Sequence, residues 1–176
     1  YFQDFIESEE VRKKSWERMN KTKDKFQKVE PNIGHIAIAN IMKKKPLSHL
    51  ITQNVDNLHQ KAGVPANQIT ELHGNSTYAK CLECEVRYEL APIHKAFSEK
   101  GEIPFCDECG GIVKTATISF GQPMPEEEMR IAQAKTVLCD LFITVGTSLV
   151  VFPAAGFPQL AKEIGAKLII INNEPT

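Results

Sequence analysis

The stretch Leu50-Ile51-Thr52-Gln53-Asn54-Val55-Asp56-Asn57-Leu58-His59, answered by Ile69-Thr70-Glu71-Leu72-His73-Gly74-Asn75, decides how this chain is read. Each begins as a short apolar run and ends in polar residues. In an open α/β sheet, ligands bind in the crevice beyond the carboxyl ends of the strands. Amides, a carboxylate and an imidazole at two such ends suit a site that holds a polar ligand and moves a proton. His73 carries two readings. A histidine near an apolar strand is commonly a hydrogen-bonded structural residue. At a strand end, just before the turn-forming Gly74, it is also a natural general base. His35, His49, His59 and His94 lack that setting and read as structural or surface residues.

The flanking sequence alternates between the two periodicities. Residues 4–28 are rich in Glu, Lys and Arg, with Phe5, Val11, Trp16, Met19 and Phe26 as a thin apolar stripe, which predicts one or two helices with Trp16 as a packing anchor. A helix is expected over 35–45, ended by Pro46. A strand follows over 48–53, then a helical turn over 57–62 closed by Gly63, then a strand over 69–72. After residue 117 the same texture resumes. It predicts a strand over 118–120, a helix over 126–136 and a strand over 141–145. A helix within 154–164, delayed by Pro158, and a strand over 167–171 complete the series. Strands alternating with helices predict an α/β fold, a parallel sheet with crossover helices.

The segment 76–117 interrupts that alternation. Cys81-Leu82-Glu83-Cys84 and Cys106-Asp107-Glu108-Cys109-Gly110-Gly111 bracket 21 residues, with a helix expected over 92–100. Two CxxC turns converging on one ion make a closed tetrahedral S₄ site, so the expected ligands are Cys81, Cys84, Cys106 and Cys109 around one structural Zn²⁺. The alternative is a redox-active thiol pair. Cys139 stands apart and reads as a buried small hydrophobe. The chain thus divides into 1–75 with 118–176, a larger α/β domain, and 76–117, an inserted small zinc-ribbon module.

Composition sets the outer limits. The 176 residues are 42% hydrophobic and 24% charged with a net charge of -1, which offers no bulk electrostatic case for nucleic acid or an acidic membrane. Lys13-Lys14 and Lys43-Lys44-Lys45 read as solvated helix faces or ends. No apolar run approaches the ~20 residues of a membrane span. Cysteines in metal-type spacing place the chain in a reducing, cytoplasmic compartment. Two further loops remain open. Gly146-Thr147-Ser148 follows a strand and can hold phosphate or ribose, or form an ordinary turn. Asn172-Asn173-Glu174 ends the last strand and can accept from ribose hydroxyls, or be a plain turn.

Taken together, Thr52-Gln53-Asn54-Val55-Asp56, Leu72-His73-Gly74-Asn75, the CxxC pairs, Ile118-Ser119-Phe120-Gly121, Val145-Gly146-Thr147-Ser148-Leu149 with Pro153-Ala154-Ala155, and Ile171-Asn172-Asn173-Glu174 resemble the sirtuin family of NAD-dependent protein deacylases. They occur in the family's order from about residue 48 to the end. The resemblance implies that 1–75 with 118–176 is a Rossmann-like NAD-binding domain, a parallel sheet with helices on both faces, with NAD and an acyl-lysine protein or peptide bound between it and the zinc-ribbon module. It implies that His73 is the general base, that Gln53 holds the nicotinamide ribose, and that Asn54 and Asp56 line the nicotinamide pocket. Gly146, Thr147 and Ser148 would meet the phosphates and adenosine side, and Asn172 and Glu174 the adenine ribose. The peptide would add as a strand between Ile118, Phe120 and Gly121 on one side and Leu149 and Val150 on the other. The products would be free lysine, nicotinamide and O-acyl-ADP-ribose.

The departures are specific. Asn57 stands where the family often has Gly, and Gln122 where it often has Glu. The family's N-terminal strand, its Gly-Ala-Gly-x-Ser loop, the Arg after it and the terminal strand and helix have no counterpart in these residues. The resemblance therefore implies a longer natural protein, and a 176-residue chain that is inactive by itself. Two other functions stay in view: a sirtuin-like protein ADP-ribosyltransferase, and an inactive zinc-dependent binding module. His73 favours deacylation over ADP-ribosyl transfer, because completing the acyl transfer needs a base.

Overall fold

The structure is a computed structural model that describes all 176 residues except the side chains of residues 24–27, so Phe26 of the expected stripe lies outside the described residues. Two helices open the chain, α1 (Phe2–Glu7) and α2 (Glu9–Lys28), with the Ser8 hydroxyl accepting from the Val11 N–H at the start of α2. Asn32 opens α3 (Ile33–Lys44), its side-chain oxygen accepting from the Gly34 and His35 N–H groups. This cap satisfies donors that a helix start leaves orphaned, and it begins the helix earlier than residue 35.

Four strands are parallel, in two pairs. β1 (Leu50–Thr52) lies beside β2 (Ile69–Glu71), with Leu50 opposite Ile69. The crossover between them holds α4 (Leu58–Lys61). Chain order next gives an antiparallel sheet made of β3 (Gly74–Cys81), β4 (Arg87–Glu89) and β5 (Val113–Thr117), in the order β4–β3–β5, with α5 (Leu90–Lys100) between β4 and β5. Then α6 (Glu126–Val137) leads to the second parallel pair, β6 (Leu141–Val145) and β7 (Lys167–Ile171), joined through α7 (Gly156–Glu163). The delayed start of α7 puts Pro158 in the first turn, where a missing N–H costs nothing.

Helices cover both faces of the β1–β2 pair, whereas one face of the β6–β7 pair stays open. Ala39 and Met42 of α3 pack with Leu50 and Ile69, while Ala132 of α6 and Phe157 of α7 pack with Ile51, Leu72 and Phe142. Neighbours Leu50 and Ile51 thus serve opposite layers, as the two-residue period of a strand dictates. Among the described residues the parallel strands form two separate hydrogen-bonded pairs, and not one continuous sheet. Apolar residues of the β6–β7 pair stay partly exposed, Val145 at 53% and Ile171 at 55%.

Two expectations are corrected. No strand forms over 118–120: β5 ends at Thr117, the Ile118 N–H donates to the His73 carbonyl, and the Ser119 N–H donates to the Gln122 side chain, so the donors close a turn. Cys139 is half-exposed between α6 and β6, not buried. One helix of the N-terminal segment also packs on the cysteine-bearing segment. Trp16 of α2, 2% exposed, enters the core of the cysteine-bearing segment with Ala79, Cys81, Ile93, Cys106 and Val113.

Candidate functional site

The cysteines build the most local feature. The second knuckle is closed by the Gly110 N–H donating to the Cys106 carbonyl and the Cys106 N–H donating to the Gly111 carbonyl. All four sulfurs lie within 4.8 Å of one another, and Cys81–Cys109 and Cys84–Cys106 are each 3.5 Å apart. Four sulfurs at tetrahedral Zn–S distance sit about 3.8 Å apart, so the set fits one zinc ion. Gly111 is part of the fit: a Cβ there would lie 2.9 Å from the Cys81 Sγ. In both knuckles the residue after the second cysteine has positive φ, Gly110 at 73° and Glu85 at 60°. The Tyr88 hydroxyl donates to the Cys106 Sγ at 3.1 Å. That hydrogen bond is the foremost of the influences that bring the Cys106 thiol down to about 6.

His73 sits half-buried between β2 and β3, and both its neighbours and its own backbone hold it. Its Nδ1 lies 3.1 Å from the Gln53 carbonyl oxygen. A carbonyl only accepts, so Nδ1 carries the proton and Nε2 is the nitrogen left with a lone pair. The His73 carbonyl takes the Ile118 N–H at 2.8 Å. Next to it Gly74, φ 72°, presses on β5 so closely that a Cβ would stand 1.9 Å from the Ala116 oxygen. Only glycine fits that approach. The loop bearing Gln53, Asn54 and Asp56 is tied down in turn. The Leu72 N–H donates to the Thr52 carbonyl, the Asn54 N–H to the Thr52 hydroxyl, and the Ser76 N–H to the Val55 carbonyl. Asp56 accepts from the Leu58 N–H at 3.0 Å and so caps α4 with one carboxylate oxygen.

Behind these groups stands a scaffold that the sequence motifs do not announce. Buried Asn75 donates to the Glu71 carboxylate at 2.7 Å and to the Asn57 side-chain oxygen at 3.1 Å, and Gln60 donates to the same Glu71 oxygen. Asn57 replaces the family's frequent glycine at φ 63°, a backbone region that Asn tolerates, and adds an acceptor that glycine lacks. Gln122 likewise fills the acceptor role of a glutamate, taking the Ser119 N–H. Lys114 is equally unannounced. It is 4% exposed, its ammonium donates to the Thr115 and Thr117 carbonyls, and burial pushes it down to about 8.

A cavity of about 370 Å³ opens between the two parallel pairs. Gln53, Asn54, Gly146, Thr147 and Leu149 line it, with Asn32, His35 and His59 as additions the sequence does not single out. His59 is nearly buried, and desolvation followed by the neighbouring His35 pushes its imidazole down. Asn172 and Glu174 follow β7, joined to the Gly146 loop by the Gly146 N–H donating to the Ile171 carbonyl. Asp56, His73, Ser148, Ile118, Phe120, Gly121 and Val150 lie outside the cavity lining. Phe120 is 80% exposed.

Set against known proteins, the chain matches the Sir2 family model over residues 1–153. An NAD-dependent protein deacetylase of Rhodopseudomonas palustris is 49% identical over 99% of this chain and 69% of its own length. An NAD-dependent protein deacylase of Archaeoglobus fulgidus is 43% identical over 92% of this chain and 62% of its own. The solved structure of Sir2Tm bound to a propionylated peptide superposes with a TM-score of 0.81 at 32% identity, over 92% of this chain and 68% of that one. The chain spans about two thirds of the length of these relatives.

Proposed function

The chain belongs to the Sir2 family, and from that membership we propose that it serves NAD-dependent protein-lysine deacylation. The observation that carries the reading is the pairing of His73 Nδ1 with the Gln53 carbonyl, which leaves Nε2 as a base beside the loop of amides. Bound NAD would supply the electrophilic ribose carbon for the acyl oxygen, with nicotinamide as the leaving group. Gln53 and Asn54, with Gly146 and Thr147 across the same cavity, form a donor and acceptor set suited to its ribose and amide groups. Asp56, Ser148, Asn172 and Glu174 extend that set at the rims. His73 Nε2 takes the proton of a ribose hydroxyl, and the Gln53 carbonyl holds the imidazole in the tautomer this requires. The acylated peptide lies along Ile118, Phe120 and Gly121 and along Leu149 and Val150 as an added strand. Zinc, held by Cys81, Cys84, Cys106 and Cys109, is structural because four thiolates leave no open coordination position.

We further propose the division into a cofactor-binding unit of parallel strands and a zinc-bearing unit over 76–117, and a cytoplasmic location. The second is supported by five cysteines free of disulfides and by the lack, among the described residues, of any helix long and apolar enough to cross a membrane. The test is a balance of products from the full-length gene product that carries these residues, given NAD and an acetyl-lysine peptide. Nicotinamide should appear in step with deacetylated peptide and O-acetyl-ADP-ribose. Nicotinamide release with ADP-ribose attached to protein would instead select the ADP-ribosyltransferase, and no release the binding module.

A further inference from the structure

We propose that Tyr88 is a positioning residue for the metal, whose hydroxyl clamps the Cys106 sulfur and sets how firmly zinc is kept; the proposal rests on the zinc reading of the four cysteines. Tyr88 belongs to β4, directly after the first knuckle, yet its hydroxyl reaches the second. The Asp107 N–H donates to that hydroxyl at 2.9 Å, occupying its acceptor side. The single hydroxyl proton is then directed to the Cys106 Sγ at 3.1 Å. The ring is fixed from behind, since Tyr88 pairs with Ala79 of β3 and packs on the core that contains Trp16 and Ile93.

Four thiolates around one divalent ion carry a net charge of about -2, and hydrogen bonds to sulfur disperse it. Cys106 also receives backbone N–H groups from Glu108 and Cys109. Among the described residues Tyr88 adds the one hydroxyl that reaches any of the four sulfurs. The other tyrosines are placed differently: Tyr78 lies under the Arg87 guanidinium at 4.0 Å, and Tyr1 is 85% exposed. A donor that links β4 to the second knuckle also couples the two halves of the site, so its loss loosens the ion as well as recharging the sulfur.

The experiment compares zinc-loaded chain with Tyr88→Phe, using transfer of zinc to a colorimetric chelator. Removing such a supporting partner costs on the order of 10-fold in metal affinity, and the variant should yield zinc correspondingly more readily. Cobalt(II) loading gives a readout that packing alone would not move: the sulfur-to-cobalt charge-transfer band should shift in the variant. Zinc transfer within about twofold of the wild-type value, or an unmoved cobalt band, overturns the proposal. Should Tyr88→Phe not fold, the unsubstituted chain made with 3-fluorotyrosine decides. Its more acidic hydroxyl keeps its shape and should slow zinc loss, whereas unchanged or faster loss overturns the proposal. Wild-type chain that binds no zinc at all refutes the metal reading itself, a failure distinct from equal behaviour of two zinc-loaded proteins.

Discussion

The four cysteine sulfurs converge within 4.8 Å from a segment of 29 residues, Cys81 to Cys109, whereas the cavity is lined from Asn32 to Pro158. The first region is local in its ligands, with Trp16 of α2 completing its core from outside the segment. Its core residues Ala79, Cys81, Cys106 and Val113 are all under 5% exposed, and local turns place every ligand. The second region depends on packing between distant elements, and its β6–β7 pair leaves Ile143, Val145, Ile170 and Ile171 more than 40% exposed. One site is made by short-range geometry and a metal, and the other by the fold as a whole. Disturbances should therefore act locally and steeply in the first, and through the joint at His73–Gly74 in the second.

The sharpest way to break this contrast is Cys81→Ser. Structural zinc contributes roughly 10–16 kcal/mol of folding free energy in small modules. Zinc should fall from about one per chain to near zero by metal analysis, with the antiparallel sheet lost from the circular dichroism spectrum; retained zinc would contradict a closed S₄ site. Lys114, at the seam, gives the next effect. Its value of about 8 lies below the ordinary 10.5, so the charged form is disfavoured in the folded chain. The sign follows: the cost is full below pH 8 and vanishes as pH rises toward 10.5, where the unfolded chain also sheds its proton. Denaturation of Lys114→Met and wild type should show the gap between them change by about 3 kcal/mol across that window. A pH-independent gap would refute burial of a charged amine. The smallest effect compares the two knuckles. Glu85 holds a left-handed backbone that Gly110 holds at no steric cost. Glu85→Gly should gain about 1 kcal/mol in urea denaturation, and a loss would mean that the side chain contributes more than the strain.

The same contrast explains how much of the molecule is legible in its sequence. The CxxC spacing specifies its own geometry, so all four ligands can be read from it. The apolar runs around Ile51, Ile143 and Ile169 read as strands because β-branched residues cluster there between turn signals, whether or not both faces end up covered. The strand β3 does not, because Asn75, Ser76 and Thr77 look like a loop. Asn75 is buried only because Glu71, Asn57 and Thr77 satisfy its amide. Tyr88 and Lys114 are equally silent, since nothing near them in sequence announces a sulfur or a pair of carbonyls as partner. His73 is visible as a candidate, but its tautomer is not: that follows from Gln53, 20 residues away in the chain.

The deacylase reading turns on His73 as the base beside the cavity, and deacetylation by His73→Ala in the full-length protein tests this most directly. Removing a positioned general base costs about 10²–10⁴-fold. The variant should lose deacetylation on that scale while its zinc content stays at wild-type level. Deacetylation at the wild-type rate would contradict the role given to His73 and to the Gln53 carbonyl that orients it.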